Sequence, residues 1–195
     1  MILWTIQREE VYQIVLNSGV YHADEEKILF PELKPYYDWL VSRMEEKIGV
    51  SPAGVHYPVW AWYNWYGKRK KPDLRDERWH NGFKGDRFVR LELEIPEERA
   101  VLSDFDAWSI ILLNGLITDS EQECDALENE ISKLAGEEQQ QRIHENWERV
   151  FDITPLKNLW TTRGSSIQAT FWELRKEDIR KITYFTSTSK MQKIE

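Results

Sequence analysis

Residues 56–67, HYPVWAWYNWYG, hold three of the chain's ten tryptophans and three of its eight tyrosines. Pro52 and Gly54 mark a turn just before this run, so the run reads as extended. In a strand, successive side chains point to opposite faces. Trp60 and Trp62 then share one face, and Tyr57, Tyr63 and Trp65 share the other. A strand with large aromatics on both faces can leave neither in water. Either helices cover both faces as core, or one face lines a cleft, where tryptophan stacks on planar ligands such as nucleobases or nicotinamide.

The rest of the pattern supplies the covering elements. Residues 2–6 read as a short strand, and 8–18 as a helix with Val11, Ile14 and Val15 inward and Gly19 at its C-terminal stop. A second helix starts near Pro35, places Tyr37, Leu40, Val41, Met44 and Ile48 on one side, and stops at Gly49. Val89, Leu91, Leu93 and Ile95 alternate with Arg90, Glu92 and Glu94, which predicts a strand with one buried and one wet face. Ser103 with Asp106 three residues later predicts an N-cap for a helix over 104–113. Two helices broken at Gly136 follow, with Cys124, Leu127, Ile131 and Leu134 lining the first and Ile143, Trp147 and Val150 the second. A strand over 167–174, a helical turn over 177–180 and a strand over 181–185 close the chain. The expected architecture is α+β, a mixed, mostly antiparallel sheet flanked by helices, as one domain over 1–195.

Charge divides the chain. Residues 119–150 hold ten acids and three bases, whereas residues 68–90 hold nine bases and four acids. The acidic hairpin 119–150 is a candidate surface for a protein partner. The overall charge of −8 argues against broad nucleic-acid coating, but Lys68, Arg69, Lys70 and Lys71 form a local strip able to meet a phosphate or a nucleic acid. Solvated faces on a loop and a helical hairpin are the plainer account of both segments. The stretch 67–85 is basic, punctuated by glycine and poor in aliphatics, which predicts a long loop.

Specific chemistry is harder to find. Glu92 with Glu94 suits cross-strand ion pairs, and Asp104 with Asp106 suits a helix start. His22, His56, His80 and His144 lack metal-ligand spacing, and Cys124 is the single cysteine, so no metal is expected. No phosphate-binding glycine loop or nucleophile motif is present. The N-terminus lacks a basic, apolar leader pattern and no stretch reaches about 20 apolar residues, so a soluble cytoplasmic protein with no membrane partner is expected.

Two resemblances add to this reading. LWTIQ, YDWL, YPVWAW, KPDLR, LSDFDAW and QATFWEL together resemble a bacterial family, domain of unknown function 3841. LWTIQ leading into a helix and SGVY, with IQATFWELRKEDIRKITYF near the end, also resembles parts of ADP-ribosyltransferase-like families. That second resemblance implies a cleft in which the first strand helps to hold NAD and a late glutamate orients the ribose. Thr5 falls at the family's N-terminal histidine position and Thr170 at its glutamate. A hydroxyl cannot accept the charge-assisted bonds of a carboxylate. Glu173 points to the opposite strand face from Thr170 and replaces it poorly. The implied function is therefore NAD or other nucleotide binding with catalysis altered or lost. Thr5, Gln7, Trp60, Trp62, Gln168 and Thr170 would line the cleft. A non-enzymatic interaction module and a nucleic-acid binder remain the alternatives.

Overall fold

A computed structural model describes residues 1–23, 30–80 and 82–189. In chain order its elements are β1 (Ile2–Arg8), α1 (Glu9–Ser18), β2 (Val20–Tyr21), α2 (Lys34–Ile48), β3 (Val59–Asn64), β4 (Arg87–Glu94) and β5 (Val101–Asp104). These are followed by α3 (Phe105–Ile111), α4 (Glu121–Ile131), α5 (Gly136–Trp147), β6 (Ile167–Phe171), β7 (Leu174–Arg175) and β8 (Ile179–Thr186). Six strands form one antiparallel sheet in the order β5-β6-β3-β1-β4-β8, and β2 pairs with β7 apart from it. The fold is α+β.

Each sheet face is sealed by different helices. Val11, Tyr12 and Val15 of α1 pack on Leu3, Val59, Ala61, Leu91, Leu93 and Phe171. On the opposite face, Trp39, Leu40 and Met44 of α2, Trp108 and Ile111 of α3, and Trp147 of α5 pack with Val101, Trp60 and Trp172. Complete burial of one such side chain contributes about 1.5–3 kcal/mol.

Local chemistry explains the element ends, with some departures from the sequence reading. Glu9 and Glu10 sit in the first turn of α1, where negative charge is favoured, and Gly19 closes the helix at φ 82° by donating its N–H to the Val15 carbonyl. Ile14 is exposed, and Tyr12 takes the inward place expected of it. Asp104 rather than Ser103 caps α3, because Ser103 still belongs to β5 opposite Gln168. Asp104 Oδ1 accepts from the Ala107 N–H at 2.9 Å, and Oδ2 accepts from the Gly164 N–H at 2.6 Å. Burial pushes the Asp104 carboxyl above its usual range, and these two N–H bonds oppose that shift. Gly164 lies at φ 76° with the Ile153 carbonyl only 2.8 Å from where a Cβ would stand, so this anchor requires glycine.

The stretch 167–174 is two strands, because the chain leaves the sheet after Phe171. Leu174 then pairs with Tyr21, and Trp172 donates to the Gly49 carbonyl at 3.1 Å. β4 also departs from its simple alternation. Arg90 is only 9% exposed and donates to the Pro72 carbonyl at 2.7 Å and to Thr183 Oγ1 at 3.4 Å. The described residues of the segment 67–86 form a strap that meets this face at Arg90, which is why that position is covered while Glu94 stays exposed. Desolvation pushes the Arg90 guanidinium pKa downward.

Candidate functional site

The two edges of β1 are treated differently. Against β4 it runs through seven registered pairs, from Ile2–Glu94 to Arg8–Phe88, but among the described residues it shares one registered pair with β3, Trp4 with Trp62. Backbone groups at a parted edge still need partners. Side chains supply some of them. Arg69, from the strap, donates to the Ile2 carbonyl at 2.6 Å and to the Tyr63 carbonyl, with its guanidinium over the Tyr63 ring. On the other side of the single pair, Thr5 Oγ1 donates to the Trp60 carbonyl at 2.8 Å.

Where the strands part, a cavity of about 190 Å³ opens. Thr5, Ile6 and Gln7 of β1, Trp60, Ala61 and Trp62 of β3, Trp79 of the strap, Phe88 of β4 and Gln168 of β6 line it. Its aromatic walls pack edge to face or tilted against further rings. The Trp62 ring lies 5.9 Å from Trp79, 4.3 Å from Trp65 and 5.2 Å from Phe105, while Trp60 lies 5.4 Å from Trp108. Gln7 Nε2 donates to Thr5 Oγ1 at 2.8 Å. Gln168 Oε1 and the neighbouring Ser103 Oγ are buried with no hydrogen-bond partner among the described residues. The lining contains no Asp, Glu, His, Lys or Arg among those residues.

Five of the six residues expected in a cleft, Thr5, Gln7, Trp60, Trp62 and Gln168, thus meet at one cavity. The strands of Thr5 and Gln168 are not neighbours, since β3 lies between them. Thr170 stands elsewhere. It is fully buried opposite Val101, whose carbonyl accepts its hydroxyl at 3.5 Å. Trp4 donates to Glu92 and Trp172 sits in the α2 core, so neither reaches the cavity. Tyr57 and Trp65 fall on the same side as Trp60 and Trp62, not opposite. Tyr57 lies before β3 and meets Tyr37, and an irregularity between Trp62 and Asn64 returns Trp65 to the Trp62 side. Trp79 and Phe88 are lining residues that the sequence did not single out. Trp79 lies in a loop without periodicity, and Phe88 precedes the clear alternation.

The strap's charges are partly engaged. Arg69 is held by backbone carbonyls, Arg75 pairs with Asp73, and Arg78 pairs with Asp76, whereas Lys68, Lys70 and Lys71 are exposed. The other carboxylates lie outside the cavity. Glu94 pairs with Arg180, and Glu173 is held below its ordinary range by Arg175, with a smaller contribution from His22. The acidic hairpin binds many of its charges internally, through Arg149 with Asp119 and Glu123 and Arg142 with Glu130. A groove of about 480 Å³ runs between α2 and α5, with Trp39, Arg43, His144 and Glu148 in its wall. Burial, and secondarily Arg43, lowers the His144 pKa. Among the described residues no His, Cys, Asp or Glu cluster is arranged to hold a metal ion, and no helix is long and apolar enough to cross a membrane.

No curated protein and no solved structure matches the chain. The family model described as Domain of unknown function (DUF3841) matches residues 2–180, close to the full length. Its span takes in every strand that lines the cavity and ends two residues into β8. The chain belongs to this family.

Proposed function

We propose that the cavity between β1 and β3 binds the planar ring of a nucleotide, NAD among the candidates, in an ADP-ribosyltransferase-like cleft without the family's transfer carboxylate. The observation that carries this reading is the meeting of Trp60, Trp62, Trp79 and Phe88 with three uncharged polar side chains at the parted edge. Aromatic faces reward a flat ring, and a few polar groups orient it. Size narrows the ligand. At about 190 Å³ the cavity falls below the roughly 300–1,000 Å³ of sites for drug-sized molecules, so it accepts one ring system at a time. A dinucleotide would insert one ring and leave the remainder outside.

A lining without carboxylate or imidazole among the described residues offers no general base and no anionic group to meet a developing positive charge. Binding, rather than group transfer, is the activity this supports. Thermal denaturation with NAD, adenosine and nicotinamide at millimolar concentration tests it. Ligand at 100 times its dissociation constant stabilises the folded state by about 2.7 kcal/mol. The expected result is a raised midpoint with at least one of these ligands that is lost in Trp62→Leu. An unchanged midpoint with all three defeats the reading.

A further inference from the structure

Thr5 sits in the middle of a short hydrogen-bond relay. Its Oγ1 lies 2.8 Å from the Trp60 carbonyl oxygen and 2.8 Å from Gln7 Nε2, and the residue is only 2% exposed. A carbonyl oxygen can only accept, so the hydroxyl proton is committed to Trp60. The hydroxyl oxygen is then left as an acceptor, and only the NH₂ end of Gln7 can satisfy it. An isolated glutamine amide can turn over and exchange its donor for its acceptor. This one cannot do so without setting a carbonyl oxygen against an oxygen that has no proton left to give. Gln7 Oε1 therefore has a fixed direction, on a side chain that lines the cavity, and no protein group among the described residues bonds it.

We propose that Gln7 Oε1 is the specificity-determining acceptor of the cleft, selecting flat heteroaromatic rings that carry an exocyclic N–H donor. Thr5 is the positioning residue that keeps that acceptor facing the ligand. The inference rests on the ring-binding reading of the cavity and goes beyond it by naming the ligand's polar edge. Gln168 Oε1 is a second carbonyl oxygen in the same lining without a partner among the described residues, so two amide oxygens here can accept from a ligand. A ligand that brings an amino or primary amide group supplies the missing hydrogens. One that brings a carbonyl or carboxylate oxygen sets acceptor against acceptor in a confined space, where unmet polar groups are costly. A ring amino group, as in adenine, and a carboxamide, as in nicotinamide, share this chemistry.

Titration calorimetry on the full chain with two matched ligand pairs tests the proposal. Adenosine against inosine exchanges a ring amino group for a carbonyl, and nicotinamide against nicotinic acid exchanges an amide for a carboxylate. The expected result is a preference of about tenfold or more for the N–H-bearing member of at least one pair, the order that one well-made polar contact provides. The pair that discriminates identifies the donor. In Gln7→Met the preference falls to near unity. In Thr5→Val the preferred ligand still binds, but the ratio collapses because the amide is free to turn, and Thr5→Ser, which keeps the hydroxyl, restores it. A purely structural role for Thr5 would weaken both members of a pair equally. Equal binding within both pairs by the native chain overturns this inference while leaving the ring-binding reading intact. A native preference that persists in a folded Thr5→Val also overturns it. Failure of all four ligands to bind overturns both readings together.

Discussion

β1 meets β4 through seven registered pairs and β3 through one. The same strand thus has a zipped edge and a parted edge, and the two satisfy their backbones in different ways. On the zipped edge, backbone pairs with backbone, and the side chains are free to fill the core under α1. On the parted edge, Thr5 and Arg69 take over carbonyls that a ladder would have used. The difference teaches where a sheet can hold a cavity. A gap in a ladder leaves polar groups in need of partners, and a gap that survives is one whose groups are answered by side chains.

The largest break in this comparison comes from the zipped side. Leu91 is fully buried opposite Thr5, and Leu91→Ala should cost about 2–5 kcal/mol by urea denaturation, through lost transfer energy and a residual void. A cost below about 1 kcal/mol would mean that this edge is not the rigid one. Arg69→Met is the counterpart on the parted side. It removes two bonds to backbone carbonyls and the stacking on Tyr63, but from an exposed position. The expected loss is about 1–2 kcal/mol, against less than about 0.5 kcal/mol for Lys70→Met one residue away. Equal effects of the two would remove Arg69 as the clasp.

The smallest expected effect needs no substitution. Within β3, amides that point toward β6 belong to a ladder of five registered pairs with one irregularity between Trp62 and Asn64, whereas toward β1 there is a single registered pair. Hydrogen exchange followed residue by residue should find the β1-facing amides of Val59–Asn64 exchanging through local opening, faster than their β6-facing neighbours. Uniform protection along β3 would show the gap to be closed in solution.

Much of this molecule can be read from its sequence, and what cannot follows a physical pattern. The alternation in β4, the helical spacing of α2 and the glycine stops at Gly19 and Gly49 are local signals, and they place elements correctly. The cap of α3 lies one residue from its expected position, because Ser103 and Asp104 are both good caps and only the pairing of Ser103 with Gln168 decides between them. The stretch 167–174 looks continuous because nothing in QATFWEL marks a break. The break is made by partners far away in sequence, Tyr21 and the Gly49 carbonyl. The same holds at the cavity. Trp60 and Trp62 announce themselves, but Trp79 reaches them from a loop whose path depends on Arg69, Arg90 and His80 finding their carbonyls. A parted edge has no motif, since it is defined by bonds that are absent.

The single Trp4–Trp62 pair has a mechanical consequence. Joined across one point, the sheet behaves as two three-stranded plates on a rivet, β5-β6-β3 on one side and β1-β4-β8 on the other. A small relative rotation of the plates alters the width of the slot between them without breaking any of the other ladders. Such a movement would also slide both plates under α1, whose Val11, Tyr12 and Val15 pack with Leu3 and Leu91 of one plate and Val59 and Ala61 of the other. The guanidinium clasp and the Thr5 hydroxyl therefore resist it together with that shared core.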